Sequence, residues 1–147
     1  MGLISLIPSS TLNSRTFVRL DTPLNFPAFT NVPIPWDTVS EDTDECYSNT
    51  APTFLTIKKS GVYLIDVSVA VPGGGLNLLG MLFGGGVRIK NFKTTGTSSG
   101  INAVGGTASW RFTAGAQLTF QVQSNVAVTS TLPSVQINYL SLQRILD

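Results

Sequence analysis

Residues 60–71, with the sequence SGVYLIDVSVAV, constrain the fold more than any other part of the chain. Tyr63, Ile65 and Val67 begin an apolar set that alternates with a mixed set of side chains. A period of two is typical of a β-strand, because successive side chains point to opposite faces. The apolar set belongs against a core, and the proline and glycines that follow end the strand. We therefore predict one long, central strand.

Short apolar or alternating runs, separated by glycine and proline, predict the other strands. These runs lie at residues 16–20, 54–58, 76–83, 87–92, 101–112, 117–128 and 135–146. The 101–112 run holds two adjacent glycines, where we expect a bulge or bend. Residues 26–35 hold three prolines, which restricts them to an edge strand or a covering segment. Since no segment has sustained helical periodicity, the sequence indicates an all-β, antiparallel jelly-roll β-sandwich.

Charge is scarce in this sequence. Only 12% of the residues are charged, about half the usual share of about 25%, and the net charge is +1. The nine lysines and arginines are scattered and form no basic block. Nucleic-acid binding through phosphate contacts is therefore not expected. A surface this poor in charge suits a chain that buries much of its area against partners.

The residues that most often perform catalysis are missing or isolated. The sequence contains no histidine and one cysteine, Cys46, so neither a Ser-His-Asp triad nor a disulfide within the chain is available. Cys46 lies beside acidic residues, which raise the pKa of a thiol rather than lower it. We expect no enzyme, no catalytic residues and no cofactor.

Five of the eight acidic residues fall within residues 37–45, which we interpret as a loop. Clustered carboxylates are possible calcium ligands, but the spacing lacks the glycine and distal glutamate of an EF-hand. Turn-forming aspartates in a solvated loop explain the same pattern. We expect no metal site.

The first residues are apolar and lead into a break at Pro8. We predict an extended N-terminal arm over residues 1–15 and one domain over residues 16–147. The arm's contact residues, on a capsid or a neighbouring subunit, are Leu3, Ile4, Leu6 and Ile7. Packing of the arm on its own domain is the equal alternative. The apolar run is too short to insert across a membrane.

Residues 76–83 stand between two glycine triplets and allow two interpretations. Their periodicity favours a buried strand or hairpin. The functional alternative is an exposed, partner-contacting loop. In that case the contact residues are Leu76, Leu79, Met81, Leu82 and Phe83.

The last predicted strand is apolar on both faces near its end. Tyr139 lies on one face, whereas Leu140 and Leu142 lie on the other. One face must meet the core, and the other suits a subunit interface. The residues assigned to a trimer interface or the core are Tyr63, Ile65, Val67, Tyr139, Leu140 and Leu142.

Residues 55–65, LTIKKSGVYLI, resemble the signature of the complement C1q-like and tumour necrosis factor (TNF)-like jelly roll, at Leu55, Gly61, Tyr63 and Ile65. Residues 112–118 resemble a later turn of that family, with Ala116 where an acidic residue is common. Residues 137–142 resemble its closing strand. Residues 32–47 resemble the phage and bacterial branch. The resemblance covers about residues 16–146.

The resemblance implies a homotrimer of ten-stranded jelly rolls. With the apolar arm, and no stalk or anchor expected before the domain, it predicts a structural protein of a virion surface, assembled in the host cytoplasm. We expect a capsid decoration protein that stabilises a phage head by binding the major capsid protein or another virion protein. The alternative is a tail-fibre or spike head that binds a host surface receptor. A bacterial surface trimer is a further alternative, and a monomer would favour a carbohydrate-binding β-sandwich.

Overall fold

The computed structural model describes residues 14–72, 76–95, 101–130 and 138–147. Within these ranges the chain forms twelve β-strands and no helix. The strands are β1 (Arg15–Leu20), β2 (Leu24–Phe26), β3 (Val32–Pro33), β4 (Thr38–Asp42), β5 (Leu55–Thr56), β6 (Gly61–Pro72), β7 (Asn77–Gly84), β8 (Val87–Thr95), β9 (Ile101–Phe112), β10 (Gln117–Ser124), β11 (Val128–Ser130) and β12 (Asn138–Leu146). A helix able to cross a membrane is not found in the described part of the chain.

The strands form two sheets and a short ribbon. Sheet 1 has the order β4-β1-β12-β6-β9, and sheet 2 has the order β3-β10-β7-β8, with β5 also paired to β10. Strands β2 and β11 form the ribbon. All pairs between named strands are antiparallel, and β6 pairs with β12 on one side and β9 on the other. The predicted long central strand and the all-β class are both confirmed.

The core lies between the inward faces of the two sheets. From sheet 1 it receives Tyr63, Ile65, Val67, Leu140 and Leu142, each at most 1% exposed. From sheet 2 it receives Leu118, Phe120, Val122 and Leu82, also at most 1% exposed. Burying a large apolar side chain contributes about 1.5–3 kcal/mol. Of the six residues assigned to a trimer interface or the core, these five from sheet 1 lie in the core, whereas Tyr139 lies on the outward face.

The predicted acidic loop is wrong, because part of it is a strand. Residues 38–42 form β4, the edge strand of sheet 1, and pair with β1. Few apolar side chains mark β4, since its burial pattern contains no buried residue. An edge strand held by backbone pairing to its neighbour carries little periodic signal, which is why the sequence did not reveal it.

The run at residues 117–128 is also not one strand. Strand β10 ends at Ser124, whose hydroxyl accepts a hydrogen bond from the Val126 amide (3.3 Å) and donates one to the Val126 carbonyl (2.7 Å). This local bonding turns the chain, as serine side chains do at turns. Val126 is consequently 43% exposed.

The predicted arm, with Leu3, Ile4, Leu6 and Ile7, lies outside the described residues. Strand β1 starts at Arg15. Ser14, just before it, is 3% exposed, and its carbonyl accepts a hydrogen bond from the Arg144 amide (2.9 Å).

Candidate functional site

The clustered carboxylates serve the fold rather than one site. Asp42 accepts three hydrogen bonds of 2.9 Å, from the Thr16 hydroxyl and from the Cys46 and Tyr47 amides. Asp44 lies 3.4 Å from the Lys59 ammonium. Within the described residues, no three acidic, cysteine or histidine side chains come close enough to hold a metal ion.

Asp37 joins the end of β1 to the start of β4. It accepts hydrogen bonds from the Thr22 hydroxyl (2.6 Å) and the Asp21 amide (2.8 Å). Partial burial raises the pKa of this carboxyl, but these bonds together with that from Thr38 outweigh burial and leave the pKa below its usual value. Asp37 therefore stays ionised as a structural acceptor.

Cys46 is not placed as a nucleophile. It is 5% exposed, and burial is the largest cause of a raised thiol pKa, with the charges of Asp42 and Asp44 adding to it. A protonated, buried thiol is a poor nucleophile.

The glycine-flanked segment is a strand, and the exposed-loop interpretation is wrong. Strand β7 lies inside sheet 2, between β10 and β8. Leu76, Met81 and Leu82 are at most 2% exposed. Leu79 and Phe83 remain half-buried on the outward face of the sheet.

We call the outward face of sheet 1 the first face; a row of three side chains crosses it from β1 to β6. The rings of Phe17 and Tyr139 stack almost parallel, with centroids 5.5 Å apart and an interplanar angle of 9°. The Tyr139 hydroxyl then donates a hydrogen bond to Asp66 (3.0 Å). Partial burial, followed by that bond and the Asp66 charge, raises the pKa of Tyr139. Ring stacking and a hydrogen bond thus link the row although it lies outside the core.

Two of the three inner strands of sheet 1, β6 and β12, carry almost no charge on the first face. Their outward residues are Val62, Leu64, Asp66, Ser68 and Ala70 from β6, and Tyr139, Ser141, Gln143 and Ile145 from β12. Leu64 is 42% exposed and Ile145 is 37% exposed. A single carboxylate among nine side chains, with exposed aliphatic groups beside it, is typical of a surface that a partner covers.

Gly105 adds a depression to the first face. The depression has a volume of about 240 Å³ and is also lined by Tyr139 and Ser68. The backbone of Gly105 has φ +150°, and a Cβ atom there would overlap the Val67 carbonyl oxygen. Strand β9 pairs with β6 through this point without a register shift, so the glycine allows close approach of the two strands rather than the expected bulge.

We call the outward face of sheet 2 the second face. Strand β10 places Gln117, Thr119, Gln121 and Gln123 on it, beside Leu79, Met81 and Phe83 from β7. Two depressions open here. One has a volume of about 350 Å³ and is lined by Phe29, Asn77, Leu78, Leu79, Lys93, Thr94, Gln123 and Asn125. The other has a volume of about 390 Å³ and is lined by Pro33, Thr53, Phe54, Phe83, Gly86, Gln117, Thr119 and Gln121.

Phe29 stands at the rim of the first of these depressions in an unusual state. Its side chain is 73% exposed, and its backbone has φ +54°. A bulky residue in this left-handed region costs about 1–3 kcal/mol. The conformation is held because the Phe29 amide donates to the Ser124 carbonyl (2.7 Å) and Ala28 forms a parallel bridge with Ser124.

Charge is distributed unequally between the sheets. The strands of sheet 2 contain no aspartate or glutamate, whereas β8 alone carries Arg88, Lys90 and Lys93. The Arg88 guanidinium lies 5.4 Å from the centre of the Phe83 ring. Sequence reasoning missed the second face; its available signal was the row of glutamines at alternate positions of β10, which is also typical of a plain solvent-facing side.

The fold is that of the C1q/TNF-like jelly roll. The chain is similar to the globular domain of zebrafish complement 1qA (TM-score 0.66, 15% identity, covering 90% of this chain and 96% of that one). It is similar to Eiger TNF from S. frugiperda (TM-score 0.66, 12% identity, covering 90% and 92%) and to murine APRIL (TM-score 0.65, 12% identity, covering 90% and 98%). No protein-family model and no curated protein sequence matches the chain. The structural likeness establishes the fold.

Proposed function

We propose that three copies of this chain assemble through the first face into a non-enzymatic, structural homotrimer. The observation that carries the proposal is the nearly uncharged outward side of β6 and β12, with Leu64 and Ile145 exposed beside the Phe17–Tyr139 stack. Stable subunit interfaces are depleted in charge and enriched in aromatic residues. The C1q/TNF-like fold supports a trimer, since the resemblance stated above implies one.

We further propose that the trimer is a capsid decoration protein on a virion surface, where it binds the major capsid protein or another virion protein. The support is the resemblance of residues 32–47 to the phage and bacterial branch, together with the apolar arm that the sequence predicts. A charge-poor chain without histidine is suited to assembly rather than to acid–base catalysis.

A trimeric tail-fibre or spike head that binds a host receptor is the second candidate. It is favoured by the second face, which carries two depressions and an exposed aromatic ring on the side of the domain opposite the first face. In a trimer built through the first face, this side would remain open to a ligand.

The native mass of the purified chain, measured by light scattering, tests the trimer. We expect about 47 kDa, three times the chain mass of 15.6 kDa. Leu64→Asp, which introduces charge into the first face, should give a folded monomer. Val87→Asp is the control, because Val87 is also exposed (54%) but lies on sheet 2. A wild-type monomer, or a trimeric Leu64→Asp variant, would contradict the proposal.

Binding to virus heads that lack the protein separates the two virion roles. If the trimer decorates capsids, deletion of residues 1–13 should leave a trimer that no longer binds them. That deletion retains Ser14, whose carbonyl bonds to Arg144. A trimer that binds host cells but not capsids, with or without the arm, would favour the fibre or spike head.

A further inference from the structure

The second face presents a row of hydrogen-bonding amides along β10. Gln123 donates to the Asn31 side chain (3.1 Å), whereas the side chains of Gln117 and Gln121 bond to no other described residue. Each free amide offers two donors and one acceptor. Hydroxyl groups also donate and accept, so a ligand rich in hydroxyls complements this row.

Each depression beside this row also has an aromatic ring. Phe29 borders one, and Phe54 and Phe83 border the other. The apolar faces of sugar rings pack against such rings, while amides bind the hydroxyls at their edges. Leu79 and Phe83 lie on the same outward side of β7, with the buried Met81 between them, so this side of the strand runs from one depression to the other. An extended chain of several sugar units matches two such depressions better than one compact molecule does.

The charged side chains around the depressions indicate the sign of the ligand's charge. Lys93 borders one depression, and Arg88 covers Phe83 of the other. No carboxylate lines either depression, so the local field favours an anion. Two cations are too few for the backbone neutralisation that nucleic-acid binding requires. The charge therefore favours an acidic saccharide over a nucleic acid.

The strained backbone of Phe29 supports a role for this residue in binding a ligand rather than in packing the core. A ring that is 73% exposed contributes little to the core, yet its backbone is held in the left-handed region. Strained residues persist where the surrounding structure fixes them, and they cluster at ligand-binding sites. Glycine adopts this conformation freely, so the fold alone does not require phenylalanine here.

We propose that the second face binds an anionic oligosaccharide, which lies across both depressions with sugar rings on Phe29 and Phe83 and its acidic groups near Lys93 and Arg88. This site goes beyond the proposed assembly role and does not depend on it, because the first face lies on the other sheet. It would give either virion protein a means of attaching to a surface coated with acidic glycan.

The test applies the full-length chain to a printed array of oligosaccharides that carry uronate, sulfate or phosphate groups, beside their neutral counterparts. We expect binding to acidic members that weakens as salt is raised. Phe29→Gly should lower the affinity at least about tenfold without lowering the melting temperature, because it removes the ring and relieves the backbone strain. A purely structural Phe29 would instead lower the melting temperature and leave affinity unchanged.

Matched variants separate an effect at the depressions from a general change in surface charge or exposure. Lys93→Gln should weaken binding and reduce its salt dependence, whereas Lys58→Gln, at an exposed lysine that lines neither depression, should do neither. Val39→Ala, which removes an exposed side chain from β4 of the other sheet, should leave binding unchanged. No binding to any acidic glycan, equal binding to neutral ones, or binding to nucleic acid alone would overturn the proposal. Light scattering on the same samples reports separately on the trimer.

Discussion

The two outward faces of this jelly roll differ although they enclose one core. The first face joins aromatic, small polar and aliphatic side chains, and its Tyr139 is already bonded to Asp66. On the second face, the side-chain amides of Gln117 and Gln121 bond to no other described residue. The strands of sheet 2 carry lysine and arginine but no aspartate or glutamate. The first resembles a surface completed by another subunit, and the second resembles a surface completed by a polar ligand.

The difference shows which half of each strand is free to vary. The inward faces of both sheets must be apolar, because together they form the core. The outward positions carry no such requirement, so they can be specialised independently on the two sheets. The two outward faces can therefore differ while the core between them stays apolar.

The largest expected effect concerns Gly105, where the first face is shaped by close approach of β9 to β6. In Gly105→Ala the new Cβ would overlap the Val67 carbonyl oxygen, in backbone with φ +150°. We expect the free energy of unfolding to fall by at least about 4 kcal/mol, measured by urea denaturation. That is a large part of the total for a domain of this size.

Gly86→Ala is the control for backbone strain alone. Gly86 has φ +82°, but a Cβ atom added there would meet no other atom within 4 Å, so we expect a loss of only about 1 kcal/mol. Equal losses in the two variants would mean that close strand approach does not shape the first face.

The inward and outward sides of β7 should differ in how much a lost side chain destabilises the fold. Leu82 and Met81 are neighbours on β7, and both are nearly fully buried. Leu82 faces the core, whereas Met81 lies on the outward side, in register with Gln121 and Asn91. Leu82→Ala should cost about 2–5 kcal/mol, because it leaves a sealed cavity.

Met81→Ala should cost less, about 1–2 kcal/mol, because water and the polar neighbours can fill the space. The measurement is urea denaturation of both variants. If the two losses were equal, the second face would be a second packed layer rather than a surface open to a ligand.

Much of the fold was predictable because burial imposes periodicity. The long strand β6 and the core residues Leu140 and Leu142 followed from alternation. Strand β4 did not, since none of its residues is buried. The end of β10 depended on one serine hydroxyl that bonds to Val126, and alternation gives no sign of such a bond.

The candidate sites were less predictable than the fold. The β7 segment was correctly favoured as a buried strand, yet its partner-contact residues divide between the two sides of that strand: Leu82 faces the core, and Leu79 and Phe83 face outward. Phe29 gave no sequence signal, because its strain and exposure arise from a bridge between Ala28 and Ser124, residues 96 positions apart. The position of Phe29 on the second face thus depends on a contact between residues distant in sequence, which alternation along one strand does not indicate.

The smallest expected effect is a change with pH in the contribution of two tyrosines, one on each side of sheet 1, to the free energy of unfolding. Tyr63 faces the core, donates a hydrogen bond to the Lys59 carbonyl (2.7 Å), and has its pKa raised to about 12, chiefly by burial. Tyr63→Phe should cost about 1 kcal/mol at neutral pH, the usual value of one such bond. Above the unfolded pKa of about 10 the unfolded chain releases this proton while the folded chain keeps it, so rising pH favours unfolding. The stability advantage of wild type over Tyr63→Phe should therefore decline between about pH 10 and pH 12, measured by urea denaturation at each pH.

Tyr139→Phe makes the same chemical change on the outward side of the sheet. The pKa of Tyr139 is also raised, by partial burial and then by its bond to Asp66, so wild type should lose its advantage over this variant as the pH rises above the unfolded value. If a second subunit covers the first face, this loss should depend on protein concentration, whereas the loss for Tyr63 should not, because the core already buries that ring. A Tyr139 effect that is independent of concentration across the range where the trimer dissociates would place this ring outside any subunit interface.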